Sequence, residues 1–97
     1  MTNTKAATEA KVSKFGKQET HTVEGVQYTL QFPGTRATQQ ILDDAVQSGS
    51  FSNSEYHEQI MELVIVKPLG VNWDYWDEND GYREVMTLAD NFLGSQL

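Results

Sequence analysis

The sequence contains no cysteine, only two prolines, and no apolar run that approaches the roughly 18 residues a membrane-spanning helix needs. Without cysteine there can be no disulfide, no thiol catalysis and no cysteine-ligated metal, a composition that suits a reducing compartment. The N-terminus lacks the apolar core of an export signal, so we predict neither export nor contact with a membrane. A chain of 97 residues is expected to form one small domain.

Basic residues are scarce beyond the first 18 positions. Residues 1–18 carry four lysines against one glutamate, a net charge of +3. Residues 19–97 carry three basic and thirteen acidic residues, a net charge of −10, and the two values add up to the −7 of the whole chain. Because nucleic-acid backbones are bound by Lys and Arg, this acidic body disfavours nucleic acid as a partner. We predict that residues 1–18 form a flexible basic leader and residues 19–97 the folded domain.

The first part of the folded domain has the pattern of a β-hairpin over residues 19–32. Glu24-Gly25 supplies a two-residue turn, since glycine adopts positive φ without strain. In the second arm apolar residues alternate with polar ones, as in a half-buried strand; they are Val26, Tyr28, Leu30 and Phe32. A lone hairpin is only marginally stable in water, so its apolar face needs helices to cover it.

Three later stretches have the periodicity of amphipathic helices. The first spans about residues 36–47, with Thr35 as its N-cap. The second begins with a capping box that Ser52 opens, flanked by a hydrophobic staple. The third spans about residues 80–93. The predicted fold class is therefore α+β, with an N-terminal β-hairpin packed on three α-helices and preceded by the flexible leader.

Two segments leave alternatives open. Residues 64–66 are β-branched, and they fit either the end of the second helix or a short strand. Residues 71–76 contain both tryptophans, and we predict an extended conformation because glycine, Asn and Asp disfavour an early helix. If the segment is extended, Trp73 and Tyr75 share one face. If it is helical, Trp73 shares a side with Trp76 and Tyr75 diverges.

The acidic residues around the tryptophans do not have the spacing of a metal or catalytic site. A calcium loop of the EF-hand type with Gly81 at its sixth position would place Trp76 at the first and Thr87 at the twelfth, where acids are needed. The sequence has no nucleophile elbow and no phosphate loop. The acids of residues 77–80 are best interpreted as carboxylates at a helix start. We therefore predict a non-enzymatic protein with no cofactor and no metal.

The aromatic residues remain as candidates for binding a partner, since interface hot spots favour Trp, Tyr and Arg. We expect Trp73 and Tyr75 to pack the third helix onto the hairpin and Trp76 to be a partly exposed anchor. The open edge of the hairpin is a second recognition surface, because an exposed strand can accept a partner's strand. The candidate partner-binding residues are Trp76, Trp73, Tyr75, Phe32 and Arg36.

Three short blocks within about residues 26–93 carry a family resemblance. They are Tyr-Thr-Leu-Gln-Phe-Pro-Gly at residues 28–34, the valine-rich stretch that ends in Lys67-Pro68, and the Trp-Asp-Tyr-Trp-Asp box at residues 73–77. In this order the chain resembles the tail assembly chaperones of long-tailed bacteriophages and prophages of Gram-positive bacteria. None of the three blocks is a catalytic signature.

The resemblance implies a non-enzymatic assembly factor. Proteins of this family bind the long tape measure protein in the host bacterial cytoplasm, keep it soluble and help to recruit tail tube protein subunits. They are absent from the mature virion. Two other functions stay open: a structural tail or head–tail connector subunit that remains in the virion, and an acidic DNA mimic that inhibits a host protein. The sequence also leaves open whether the chain forms a homo-oligomer.

Overall fold

The structure, a computed structural model, describes residues 13–97, which form a β-sheet, a small second hairpin and four helices. The predicted α+β class with an N-terminal β-hairpin is confirmed. Within these residues no helix is long and apolar enough to cross a membrane. The strands are β1 Gln18–Val23, β2 Val26–Gln31, β3 Val46–Gln47, β4 Ser50–Phe51 and β5 Ile65–Lys67, and the helices are α1 Thr35–Asp44, α2 Asn53–Leu63, α3 Trp73–Glu78 and α4 Tyr82–Gln96.

The N-terminal hairpin is part of a three-stranded antiparallel sheet. Strands β1 and β2 pair in regular register across a two-residue turn. Both turn residues, Glu24 and Gly25, have positive φ, as a type I′ turn requires. Strand β5 pairs with the other side of β2, so the strand order is β1-β2-β5. The alternative left open for residues 64–66 is thus resolved in favour of a strand.

The helices cover one face of this sheet. Helix α4 packs against β1 and β2, and helix α2 packs against both α1 and α4. The side chains that meet between these elements are almost fully buried, which makes their apolar area the main stabilising contribution. They include Val23, Tyr28, Leu30, Phe32, Ile41, Ile60, Val64, Val85, Met86, Ala89, Phe92 and Leu93.

The predicted flexible leader is tested only in its last residues, because residues 1–12 lie outside the described part of the chain. The amide of Phe32 donates a hydrogen bond of 2.8 Å to the carbonyl of Lys17, which continues the pairing of β1 with β2. The ammonium of Lys14 donates a hydrogen bond to the carbonyl of Gln96. A cation is favourable there because the C-terminal end of the α4 dipole is negative. The prediction that the leader extends as far as β1 is therefore wrong, since these residues are bonded to the folded domain.

Helix α1 differs from the prediction in its N-cap and its last residue, whereas helix α2 begins at the predicted N-cap. Helix α1 has Gly34 rather than Thr35 as its N-cap, and it ends three residues early because β3 and β4 form a small hairpin after it. At the start of α2, the hydroxyl of Ser52 accepts a hydrogen bond from the backbone amide of Glu55, which is one half of the predicted capping box. The reciprocal bond is not formed, because the amide of Ser52 donates to the carbonyl of Ala45. The rings of Phe51 and Tyr56 pack 5.4 Å apart, which confirms the hydrophobic staple.

Candidate partner-binding site

Both tryptophans lie on the short helix α3, so the prediction of an extended segment is wrong. The side-chain oxygen of Asn72 accepts a hydrogen bond of 2.9 Å from the amide of Tyr75, and this caps the first turn. The side-chain amide of Asn79 donates to the carbonyl of Tyr75 at 2.9 Å and closes the last turn. The asparagine that was expected to oppose a helix is thus the residue that starts it.

We expect Asn72→Ala to lower the free energy of unfolding by about 1 kcal/mol, because the amide of Tyr75 loses its acceptor. Urea denaturation followed by circular dichroism measures this change. The control is Asn72→Asp, whose carboxylate also accepts at an N-cap and should retain most of the stability. Equal losses in the two variants would show that capping is not what holds α3 in place.

Five aromatic side chains pack together around α3, and we call them the aromatic cluster: Tyr28, Trp73, Tyr75, Trp76 and Tyr82. The ring of Tyr82 lies 5.8 Å from both tryptophans. Tyr28 stacks on Trp76 at 5.9 Å with an interplanar angle of 25°. Tyr75 meets Trp76 edge to face at 4.8 Å and Tyr28 edge to face at 6.4 Å. This is the arrangement expected for a helical segment, in which the two tryptophans share a side.

The two tryptophans differ in how far they reach into the protein. Trp76 keeps part of its surface exposed, as predicted, but its contacts are internal: it stacks on Tyr28, and its Nε1–H donates to the Sδ of Met61 at 3.1 Å. Trp73, which was predicted to be a core residue, is 40% exposed. The prediction of a core position is therefore wrong for Trp73, because in the helical conformation of α3 it is Trp76 that stacks on Tyr28 of the sheet.

The tyrosine hydroxyls of the aromatic cluster have hydrogen-bond partners within the protein. The hydroxyls of Tyr28 and Tyr75 lie 2.7 Å apart, and the hydroxyl of Tyr82 lies 2.6 Å from Nδ1 of His57. Burial, helped by the hydrogen bond to Tyr75, raises the pKa of the Tyr28 hydroxyl well above its usual range. Burial also lowers the pKa of His57. Both shifts favour the neutral forms of Tyr28 and His57, which agrees with a packing role.

An open groove lies beside Trp73, between α2 and the start of α3. Its volume is about 130 Å³. The side chains of Met61 and Val71 are nearly buried and form an apolar floor, while Glu58 and Glu62, one turn apart on α2, are exposed. We call this site the Trp73 groove, and it is lined by Glu58, Met61, Glu62, Val71, Asn72 and Trp73.

The composition of the Trp73 groove favours a protein partner over a small ligand. Pockets for small molecules usually enclose roughly 300–1,000 Å³, whereas this groove has room for about one side chain. An exposed indole above an apolar floor suits a large aliphatic side chain. The carboxylates of Glu58 and Glu62 would attract Lys or Arg next to that side chain, and Asp74 and Asp77 on α3 add negative charge nearby.

The five residues predicted to bind a partner lie in different parts of the structure. Trp73, Tyr75 and Trp76 come together in the aromatic cluster, but only Trp73 lines the groove. Phe32 is 1% exposed, so it is a core residue and the prediction of a partner contact there is wrong. Arg36 is exposed on α1, yet it lines neither the groove nor the aromatic cluster. Of the five residues, Trp73 is therefore the one that lines the groove, and partner binding by Tyr75, Trp76 and Arg36 stays a prediction.

Sequence reasoning missed the residues of α2 that complete the groove. Glu58 and Glu62 are four residues apart, a spacing that puts both on one face of a helix. On their own they are typical of any solvated helix face, and only the fold shows that Trp73 lies beside them. Met61 was missed for the same reason, since its contact with Trp76 joins positions 15 residues apart.

A second, wider groove of about 440 Å³ lies between α2 and α4. The exposed ring of Phe51 borders it, next to Arg83. Its buried tyrosine, Tyr56, donates a hydrogen bond of 2.6 Å to Asp90. This groove provides an internal comparison for the Trp73 groove, because it also presents an exposed aromatic side chain.

Within residues 13–97, no three His, Asp or Glu side chains are placed to hold a metal ion. We found no match among protein-family models, curated proteins or solved structures. The interpretation of this site therefore rests on its own geometry and on the resemblance of the three sequence blocks.

Proposed function

We propose that this protein is a non-enzymatic tail assembly chaperone of a long-tailed phage or prophage. In this proposal it binds the tape measure protein in the host bacterial cytoplasm, keeps it soluble, recruits tail tube subunits and does not remain in the mature virion. The observation that supports the proposal most is the Trp73 groove, an exposed indole and an apolar floor beside two carboxylates. Such a surface suits an amphipathic helix that carries an apolar residue flanked by basic ones.

The charge of the chain agrees with this role. A net charge of −10 on residues 19–97 would keep a complex soluble and oppose non-specific association between copies. A groove with room for about one side chain gives each copy only modest affinity. A long helical partner with many binding segments would compensate, because contacts repeated along one chain raise the overall avidity.

Co-expression with the tape measure protein encoded beside it tests the proposal. We expect the tape measure protein to stay soluble and to co-purify with this chain, and to aggregate when it is expressed alone. Failure of the chain to retain or solubilise it would contradict the proposal. A tail tube gene upstream, and an overlapping frame followed by a very long helical protein downstream, is the expected gene order.

Two further measurements separate the alternatives left open by the sequence. Mass spectrometry of purified virions should not detect this chain, and its presence there would favour a structural tail or connector subunit. The chain should not displace DNA from a host nuclease, and inhibition of the nuclease would favour the acidic DNA mimic.

A further inference from the structure

The strand β1 forms an open edge of the sheet. Within residues 13–97 it pairs only with β2, and the pairing is regular over all six of its residues. Proteins usually protect such edges with Lys, Pro, a bulge or a very short strand. From Gln18 to Val23 the strand has no Lys, Pro or bulge; its one carboxylate, Glu19, lies 3.1 Å from His21, and Lys17 precedes the strand. It is therefore a complete template for another strand.

The opposite edge of the same sheet shows the protection that β1 lacks. Strand β5 is only three residues long, and its pairing with β2 is irregular between Thr29 and Leu30. It ends in Lys67, and Pro68 follows. All of these features discourage pairing with another chain. The sheet is thus closed at one edge and open at the other.

The register of the hairpin shows which backbone groups face the open edge. In a hairpin with a two-residue turn, the residues that flank the turn form the first hydrogen-bonded pair, and bonded and non-bonded pairs then alternate. The bond from the Phe32 amide to the Lys17 carbonyl continues this alternation. It follows that the N–H and C=O groups of Gln18, Thr20 and Thr22 point away from β2.

We propose that two copies of this chain dimerise by antiparallel pairing of their β1 edges, with Thr20 opposite Thr20. This register gives about six backbone hydrogen bonds, since three outward-facing residues of each copy take part. It also places Glu19 of each copy opposite His21 of the other, so a carboxylate faces an imidazole twice. Within one copy these side chains already lie 3.1 Å apart on the same face, and both are partly exposed.

The neighbouring registers are less favourable. A shift in one direction puts Glu19 opposite Glu19, and like charges directly opposite each other are destabilising. A shift in the other direction puts His21 opposite His21 and Glu19 opposite Val23, so neither carboxylate then faces an imidazole. The side chains of β1 therefore select the register centred on Thr20.

The dimer does not depend on the proposed partner. None of the residues that line the Trp73 groove belongs to β1. Pairing of the β1 edges would therefore not use the groove residues, and each dimer would carry two Trp73 grooves. A single pair of strands buries less area than a standard protein interface. We therefore expect a reversible dimer that dissociates on dilution.

Sedimentation velocity of the full chain over a dilution series tests the dimer, and two charge variants test its register. The basic variant is Glu19→Lys with His21→Lys, and the acidic variant is His21→Glu. Each variant alone faces two like-charge pairs and should dimerise about tenfold more weakly. Mixing the two should restore association as a heterodimer, because every pair then has opposite charges. A monomeric wild type, or a mixture that associates no better than either variant, would overturn the proposal.

A second pair of variants tests the dimer interface even if the charge variants misfold. Thr20→Pro removes an outward N–H that takes no part in pairing with β2, whereas Thr20→Ala removes only the hydroxyl contact with Thr29. Both should keep the circular dichroism spectrum of the wild type. We expect the proline variant to be monomeric and the alanine variant to dimerise. Equal association of the two would show that the β1 edge is not the interface.

Discussion

Trp73→Ala should weaken binding of the tape measure protein by about 2 kcal/mol, roughly a 30-fold rise in Kd. The indole is 40% exposed beside the apolar floor formed by Met61 and Val71, so its loss removes the largest apolar contact that the groove can offer. Its internal contact is with Tyr82, and we expect the free energy of unfolding to fall by no more than about 1 kcal/mol. Isothermal titration calorimetry and urea denaturation measure the two quantities.

The matched control for this variant is Phe51→Ala, which removes the exposed aromatic ring of the second groove. Phe51 is 50% exposed, so the two substitutions delete comparable accessible surfaces on different parts of the molecule. We expect Phe51→Ala to leave the Kd for the tape measure protein within about threefold of the wild type. If Phe51→Ala weakens binding and Trp73→Ala does not, the groove between α2 and α4 is the partner site instead.

Trp76→Ala should act on stability and lower the free energy of unfolding by about 3 kcal/mol. Trp76 stacks on Tyr28 and packs against Met61 and Tyr82, so its removal leaves a cavity between the sheet, α2 and α4. A loss of this size is a large part of the 5–15 kcal/mol that is typical of small domains. Urea denaturation followed by circular dichroism measures it without relying on the deleted fluorophore.

The control for Trp76 is the conservative variant Trp76→Phe. It keeps an aromatic ring against Tyr28 but removes the N–H that bonds to the sulfur of Met61. We expect it to cost about 1 kcal/mol, since most of the stabilisation comes from packing. If Trp76→Ala were as stable as the wild type and lost partner binding, Trp76 would be the anchor that its sequence context predicts.

The extent to which the sequence predicts this fold depends on how local each signal is. The alternation of Val26, Tyr28 and Leu30 predicts a strand, and the capping box at Ser52 predicts a helix start, because both signals lie within a few residues. The α3 helix was not predicted, although Asn72 is a good N-cap. A six-residue helix has too few positions to show a period, so the cap was its only local signal.

The candidate site was harder to predict than the fold. Aromatic composition predicts a partner-binding site at residues 73–76, but it does not indicate which tryptophan is exposed. That depends on the path of α3 over Tyr28, which is set by a contact between residues 28 and 76. The groove depends on a second such contact, between α2 and α3. Long-range packing of this kind leaves no pattern in a single sequence.

The two indole N–H groups of this chain give the most direct test of the central claim, that the Trp73 groove is the partner site. The chain has two tryptophans, so a ¹H–¹⁵N spectrum should show two indole signals, and Trp73→Phe assigns them. On titration with the tape measure protein, we expect the Trp73 signal to shift or broaden first. The Trp76 signal should change little, because its N–H is bonded to Met61 inside the protein. A change at Trp76 with Trp73 unaffected, or no change at either signal when the complex forms, would show that the Trp73 groove is not the partner site.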